Sequence, residues 1–380
     1  MVDQKWGKFT GRFAVNWTPK LDFTDQTLIY GSYAHGYKAG GANPPGAVLL
    51  EGADFQPTHP LTFAPEYVDA FEGGTKNTLL DGALTLNANG FYYNYKGYQV
   101  SQIVDRTSVN LNFDARVAGA EIEATWEPLP GLRFNFAGGY ERTALADGSS
   151  AVDLMDRTAG HSDWVVKKAS ITEASNCILP KYVAEITTGA AWSIPGEGWC
   201  SWTYIEHTDP VTHLPYTADP TDTAALSIPA GYPGFDPVGP AATNNGAGPA
   251  PNNGAGFSKD VSGNELPNAP PFTLSAGAQY SVPLSSDWAG TLRGDLYWQD
   301  NSWWRVFNDL EYDRLHGYTN LNLTLIFTNQ NGWQVMLYDK NVFNTTAITG
   351  AFLNSDDSGL TTNVFLTDPK LIGIRVTKNW

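Results

Sequence analysis

Several things are scarce in this 380-residue chain, and each scarcity closes a door. No stretch of about eighteen consecutive apolar residues occurs, so no segment can cross a bilayer as a helix. A strand that shows only every second residue to lipid escapes that test. Basic residues are few: 23 Lys and Arg stand against 39 Asp and Glu, a formal net charge of −16. That balance argues against nucleic-acid binding, because phosphate contact needs a basic face. Acidic loops either attract cations or keep the surface solvated. Only two cysteines are present, Cys177 and Cys200, with no CxxC spacing for redox or zinc chemistry. In an oxidising compartment such a pair is expected to form a disulfide. The six histidines are scattered; His207 and His213 share a loop-like stretch with Asp209, a spacing that fits a solvated loop better than a metal site. Nucleophile-elbow, HExxH and P-loop patterns are absent, so no catalytic residue, cofactor or metal is expected and the chain does not read as an enzyme. The first residues, MVDQKWGKFTGRF, have no apolar core and no cleavage site of a signal peptide.

What the chain does have is aromatics, 13% of all residues with 13 Trp and 18 Tyr, and a repeated alternation of period two. The last twelve residues, PKLIGIRVTKNW, set Ile372, Ile374 and Val376 against Gly373, Arg375 and Thr377 and end on an aromatic. Such a strand is how an outer-membrane barrel closes. The same pattern runs through 8–18, 26–39, 64–78, 82–100, 107–127, 131–145, 270–284, 287–301, 314–329 and 332–346. About eleven strands are therefore expected, each long enough to cross a membrane at a tilt.

The connections alternate too. Leu80-Asp81-Gly82, Pro128-Leu129-Pro130-Gly131, Ser285-Ser286-Asp287 and Asn329-Gln330-Asn331-Gly332 are short and carry turn chemistry. The others are mostly long, and 144–269 is far beyond an ordinary loop. Its second half is rich in Gly, Pro, Asn and Ala; its first half holds Trp164, Trp192, Trp199, Trp202, Tyr204 and both cysteines. Short turns on one rim and long loops on the other fit a transmembrane barrel and argue against a soluble β-sandwich or sugar-binding domain. A complete barrel of this kind has an even strand count and starts in the periplasm; eleven strands ending in the periplasm imply that earlier strands lie elsewhere.

These segments resemble the C-terminal half of the barrel of a TonB-dependent outer-membrane receptor, of the siderophore-receptor kind. The resemblance rests on YAHGYKAGGAN from Tyr33, on APEYVDAFEGGTKNTLLDGALTLNANGFYYNYKGYQV from Ala64, and on GAEIEATWEPLPGLRFNFAGG from Gly119. NAPPFTLSAGAQY from Asn268, GWQVMLYDKNVFNT from Gly332 and the C-terminal strand complete it. It covers nearly all strands and fails in the loops. Two residues depart from the pattern: Lys378 stands where the family commonly has an aromatic, and Asp339 falls on the lipid side of the alternation.

The resemblance implies an all-β, antiparallel barrel of about 22 strands, of which this chain supplies half, without the N-terminal plug that contacts TonB. It implies active uptake of a scarce ligand across the outer membrane, most often a ferric siderophore, with saccharide, cobalamin or another nutrient as alternatives. A passive channel formed by this chain alone is the competing class. The implied partners are the TonB complex through the missing plug, a ferric siderophore or similar ligand, outer-membrane lipid, and the barrel-assembly machinery through the last strand. Residues 144–269 become one long extracellular insertion in a 1–380 barrel segment. Ligand contacts are expected from the loops: Trp303, Trp304 and Arg305 as an aromatic-cation cluster able to stack a planar chelate and pair an anion, with Tyr37, Lys38, Trp202 and Tyr204 beside them. An aromatic belt at the membrane rim accounts for the same residues. Arg133, Glu121, Glu123, Arg293 and Asp295 are expected to form a polar network on the barrel wall.

Overall fold

The computed structural model describes residues 3–44, 60–104, 107–168, 176–181, 206–208, 215–217, 251–354 and 359–380. Eleven strands form one antiparallel sheet. They are β1 Gly11–Trp17, β2 Gln26–Lys38, β3 Glu66–Leu79, β4 Leu84–Val104, β5 Thr107–Leu129 and β6 Leu132–Leu145. Then come β7 Phe272–Pro283, β8 Trp288–Gln299, β9 Tyr318–Asn329, β10 Trp333–Lys340 and β11 Leu371–Lys378. Each strand bonds to the next in chain order, so the sheet is a pure meander. It does not close: β1 bonds only β2, and β11 only β10. All eleven expected strands are present.

The register shows what the alternation encodes. Leu86, Ala124, Phe136, Ala276, Leu296 and Leu321 lie side by side across six strands, β4 to β9. The opposite face holds Thr125, Asn135, Gly277, Asp295 and Asn322 in a matching row. On that polar face Tyr30 donates to Glu72 at 2.5 Å, Asn89 to Glu121 at 3.1 Å, and Arg293 to Asp295 at 2.5 and 2.9 Å. Arg133 approaches Glu127 at 3.7 Å. The apolar face is bare: Ile372 is 70% exposed, Ile374 64% and Leu292 57%. A soluble protein buries such a face, whereas a membrane barrel turns it outward to lipid.

Two aromatic rows bound the bare face. Trp126 packs on Phe134 at 5.8 Å near the short turns, with Tyr280 and Trp288 beside them. Tyr140 packs on Phe272 at 4.9 Å toward the long loops, with Tyr92 and Trp298 at a similar height. From Trp288 to Trp298 is about ten residues, the length a tilted strand needs to cross the hydrocarbon. The short turns themselves need left-handed backbone: Leu80, Asp81 and Gly82 take φ of 60°, 56° and 86° in succession.

β4 and β5 are 21 and 23 residues long, twice what a crossing needs. β4 runs four residues past its expected end at Val100, while β5 begins at 107 as expected; a bulge between Tyr95 and Tyr98 absorbs one register shift, with Gly97 at φ 69°. Lys96 pairs with Asp114 there at 2.6 Å, and Gly97 N–H donates to Asp114 at 3.0 Å. The protruding hairpin is where the buried core sits. Phe113, Ala115, Val117, Leu145, Ala151, Val261, Leu266 and Val306 form one cluster, and Val104, Val109, Leu154 and Leu353 a second. The loops supply short pairs of their own, among them Ser150–Val152 with Ser258–Asp260, Ser302–Trp303 with Arg314–Leu315, and Ile348–Leu353 with Thr362–Leu366.

Two details refine the sequence expectations. β10 stops at Lys340 rather than near 346, because Asn341 takes φ 48° and its buried side chain donates to the carbonyls of Thr345 and Asp368. Asp339 does face outward, between Leu323 and Ile372, with no slip in register. Its charge is met by Lys370 at 3.1 Å. Lys378, in place of an aromatic, lays its ammonium over Trp333 at 5.4 Å and Trp380 at 5.5 Å.

Candidate functional site

Where the loops fold over the tall β4–β5 hairpin they enclose a cavity of about 410 Å3. Tyr98, Gln99 and Gln102 form its floor; Leu154 and Trp304 to Phe307 form one wall, and Ala351 to Leu353 another. With Pro267 and Asn268, five chain segments far apart in sequence thus meet at the long-loop rim. Volume and lining, mostly apolar with a few convergent polar groups, are those of a small-molecule pocket.

Arg305 is the charged group in the wall. Its guanidinium donates to Asp313 at 2.6 Å and to Asp153 at 2.6 Å. The rings of Trp304 and Phe307 lie 5.1 and 5.0 Å from it. Its second terminal nitrogen, Nη2, is buried without a hydrogen-bond partner. Asp313 is wholly buried and Asp153 2% exposed. Burial pushes the Asp313 carboxyl above its ordinary range, against the opposing pull of Arg305. Lys259 joins the cluster at 3.2 Å from Asp153 and 2.8 Å from Asp156. Burial pulls its ammonium down, but the two aspartates outweigh it and leave Lys259 above the usual lysine range.

The residues singled out from sequence are distributed unevenly. Trp304 and Arg305 line the cavity; Trp303 stands just behind, its indole N–H donating to Glu265 at 2.9 Å. Trp304 donates to the Tyr312 carbonyl at 2.9 Å. Tyr37 packs against Tyr67 on the outward face, the ring centroids 5.6 Å apart and the planes tilted by 37°. Lys38 lies 4.0 Å from Glu66, whose carboxylate also accepts from Gln99 N–H at 2.9 Å, so the β2 end is tied to the cavity floor. Trp202, Tyr204 and Cys200 lie outside the described residues; Cys177 occupies a short strand opposite Lys167. Sequence reasoning missed Asp153, Asp313, Tyr98, Gln102 and Phe352. Nothing local marks the two aspartates. The floor had a signal: the strand expected over 82–100 is already longer than one membrane crossing needs.

A meander with a bare apolar face, paired aromatic rows and loops folded over one end defines a segment of the membrane β-barrel class. The comparisons give the family: the description "TonB dependent receptor-like, beta-barrel" matches residues 2–235, and the chain belongs to that family. No curated protein matches. Among solved structures, the ferric yersiniabactin uptake receptor FyuA from Yersinia pestis is similar at 15% identity and TM-score 0.53, over 97% of this chain and 36% of FyuA. The siderophore receptor PiuA from Acinetobacter baumannii shows 13% identity and TM-score 0.49, over 95% and 34%. The chain thus spans about a third of the length of the receptors it resembles.

Proposed function

We propose that this chain is part of a TonB-dependent outer-membrane receptor for active uptake, with a ferric siderophore as the ligand class. The carrying observation is the aromatic-walled cavity at the long-loop rim, with one unpaired guanidinium nitrogen on Arg305, whose guanidinium lies over the rings of Trp304 and Phe307. A planar or lobed anionic chelate fits aromatic faces and an N–H donor better than a sugar does, since a sugar needs several polar partners. The family assignment and the FyuA-like fold support the class. In this reading the long-loop rim is extracellular, 144–269 is a single extracellular insertion, and the bare face meets outer-membrane lipid. Energy from TonB enters through the receptor's plug domain, and the last strand presents itself to the assembly machinery. In this reading Trp304 and Arg305 contact the ligand from the cavity wall, Trp303 supports them, and Tyr37, Lys38, Trp202 and Tyr204 are further candidates for contact.

The test is quenching of tryptophan fluorescence in the purified chain by a ferric catecholate, a ferric hydroxamate, cobalamin and a maltooligosaccharide. Saturable quenching by a ferric chelate, lost when Gln102→Trp fills the cavity, is expected. Saturation by cobalamin or the sugar alone, or ferric binding unchanged in Gln102→Trp, overturns the assignment.

A further inference from the structure

The acidic chain carries two arginines that its own structure leaves uncompensated. Arg116 on β5 and Arg142 on β6 are both exposed. The register pairs Ala118 with Arg142 and Arg116 with Ala144, which makes the arginines diagonal neighbours on one face. That face is the outward one, since Ala118, Ile122 and Trp126 share it on β5 and Phe136 and Tyr140 on β6. Diagonal neighbours on a sheet stand within reach of each other's long side chains. Nearby carboxylates are occupied: Asp114, two residues from Arg116, by Lys96 and Gly97, and Asp69, two strands away, by His35 and Tyr33. Glu141 faces the other side of the sheet. No ion pair of Arg116 or Arg142 occurs among the described residues.

Their height matters as much as their charge. Arg142 follows Tyr140, whose ring packs on Phe272 in the aromatic row nearer the long loops. From Leu132, where β6 begins, to Tyr140 is about nine residues, one tilted crossing of the hydrocarbon. The two guanidinium groups therefore stand just beyond the apolar band, at headgroup level.

We infer that Arg116 and Arg142 form an outward-facing clamp for the phosphomonoester headgroup of a membrane lipid. Two adjacent like charges repel, and a bridging dianion relieves both at once. Guanidinium forks suit phosphate oxygens better than ammonium groups do. A phosphomonoester, close to two negative charges, matches the pair; a phosphodiester matches half of it. The aromatic rings beneath would hold the acyl chains. This inference rests on the membrane reading of the bare face.

The experiment is native mass spectrometry of the detergent-solubilised chain titrated with phosphatidic acid, phosphatidylglycerol and phosphatidylcholine of identical acyl chains, and separately with inorganic phosphate. Phosphatidic acid should bind most tightly. Each of Arg116→Gln and Arg142→Gln should weaken it about fivefold, and the double variant roughly 25-fold, taking about 1 kcal/mol per interfacial arginine. Arg116→Lys keeps the charge but loses the fork, so its affinity should fall between the parent and Arg116→Gln. Both side chains are exposed and unpaired, so the variants should keep the parent's circular dichroism. Equal affinity for the three headgroups, or a preference that survives the double variant, overturns the clamp. Inorganic phosphate bound as tightly as phosphatidic acid overturns the lipid assignment. A chain that retains no lipid at all, phosphatidylcholine included, fails the membrane reading and the clamp with it.

Discussion

Replacing Arg305 with leucine should loosen the loops without touching the barrel. Arg305 is 10% exposed and holds two carboxylates that are 2% and 0% exposed. Removing one partner of a buried ion pair typically destabilises by about 3–5 kcal/mol, mostly through the charge left behind. The two aspartates do not lose equally. Asp153 keeps Lys259 at 3.2 Å. Asp313 keeps only the backbone N–H of Asp309, at 3.0 Å. The damage should therefore concentrate in 302–315 and be smaller in 150–157. At about 1.4 kcal/mol per factor of ten, 3 kcal/mol raises the open population more than a hundredfold. Peptide-resolved hydrogen exchange reads this directly, with β7 and β8 as internal controls that should not change. The pH dependence supplies a second signature. Burial already raises the Asp313 carboxyl, so the folded loop binds a proton at a pH where an unfolded aspartate does not. Between the ordinary and the raised value, loop stability falls as pH rises. Without Arg305 the carboxyl rises further, so the deficit should be largest at neutral pH and shrink on acidification. Adding Asp313→Asn to Arg305→Leu should recover part of the loss. Exchange unchanged in 302–315, or faster in β7 and β8, would refute this account of the Arg305 cluster.

Other expectations follow from the sheet itself. Leu323→Arg puts a charge in the middle of the outward face of β9 and should destabilise the barrel by about 2–4 kcal/mol in reversible unfolding from lipid, whereas Thr324→Arg on the polar face should shift it far less. Equal effects would sink the assignment of faces. Gly119→Val should be among the most damaging single changes in β5, because a Cβ there meets the Tyr140 carbonyl and the Phe91 ring; Gly31→Ala, with open space at that point, should be tolerated. The comparison is made on folded yield and thermal midpoint. Lys370→Ala strips Asp339 of its partner on the lipid side and should lower stability by roughly 1 kcal/mol, a loss that Asp339→Asn in the same chain largely reverses; no recovery in the double variant would show that the pair is incidental.

How much of this was legible beforehand depends on range. Period-two alternation is a property of neighbouring residues, so it gave the strands and their two faces, and Asp-Gly and Asn-Gly turns gave the short rim. Even the outward position of Asp339 could be read from it, because side-chain direction in a strand follows from parity alone. What decides the cavity is not local. Arg305 finds Asp153 across 152 residues, and the walls come from loops whose sequences carry no periodic signal. The height of the β4–β5 hairpin depends on one bulge at Tyr95 and Tyr98, and the end of β10 on a single asparagine cap. Arg116 and Arg142 are separated in sequence yet adjacent across a register that only the folded sheet sets. Sequence by itself determined the sheet and its two faces, one apolar and one polar, because these follow from the pleat. Only the tertiary structure decided which loops meet, which charges are spent on one another, and that Arg116 and Arg142 stand side by side without an ion pair among the described residues.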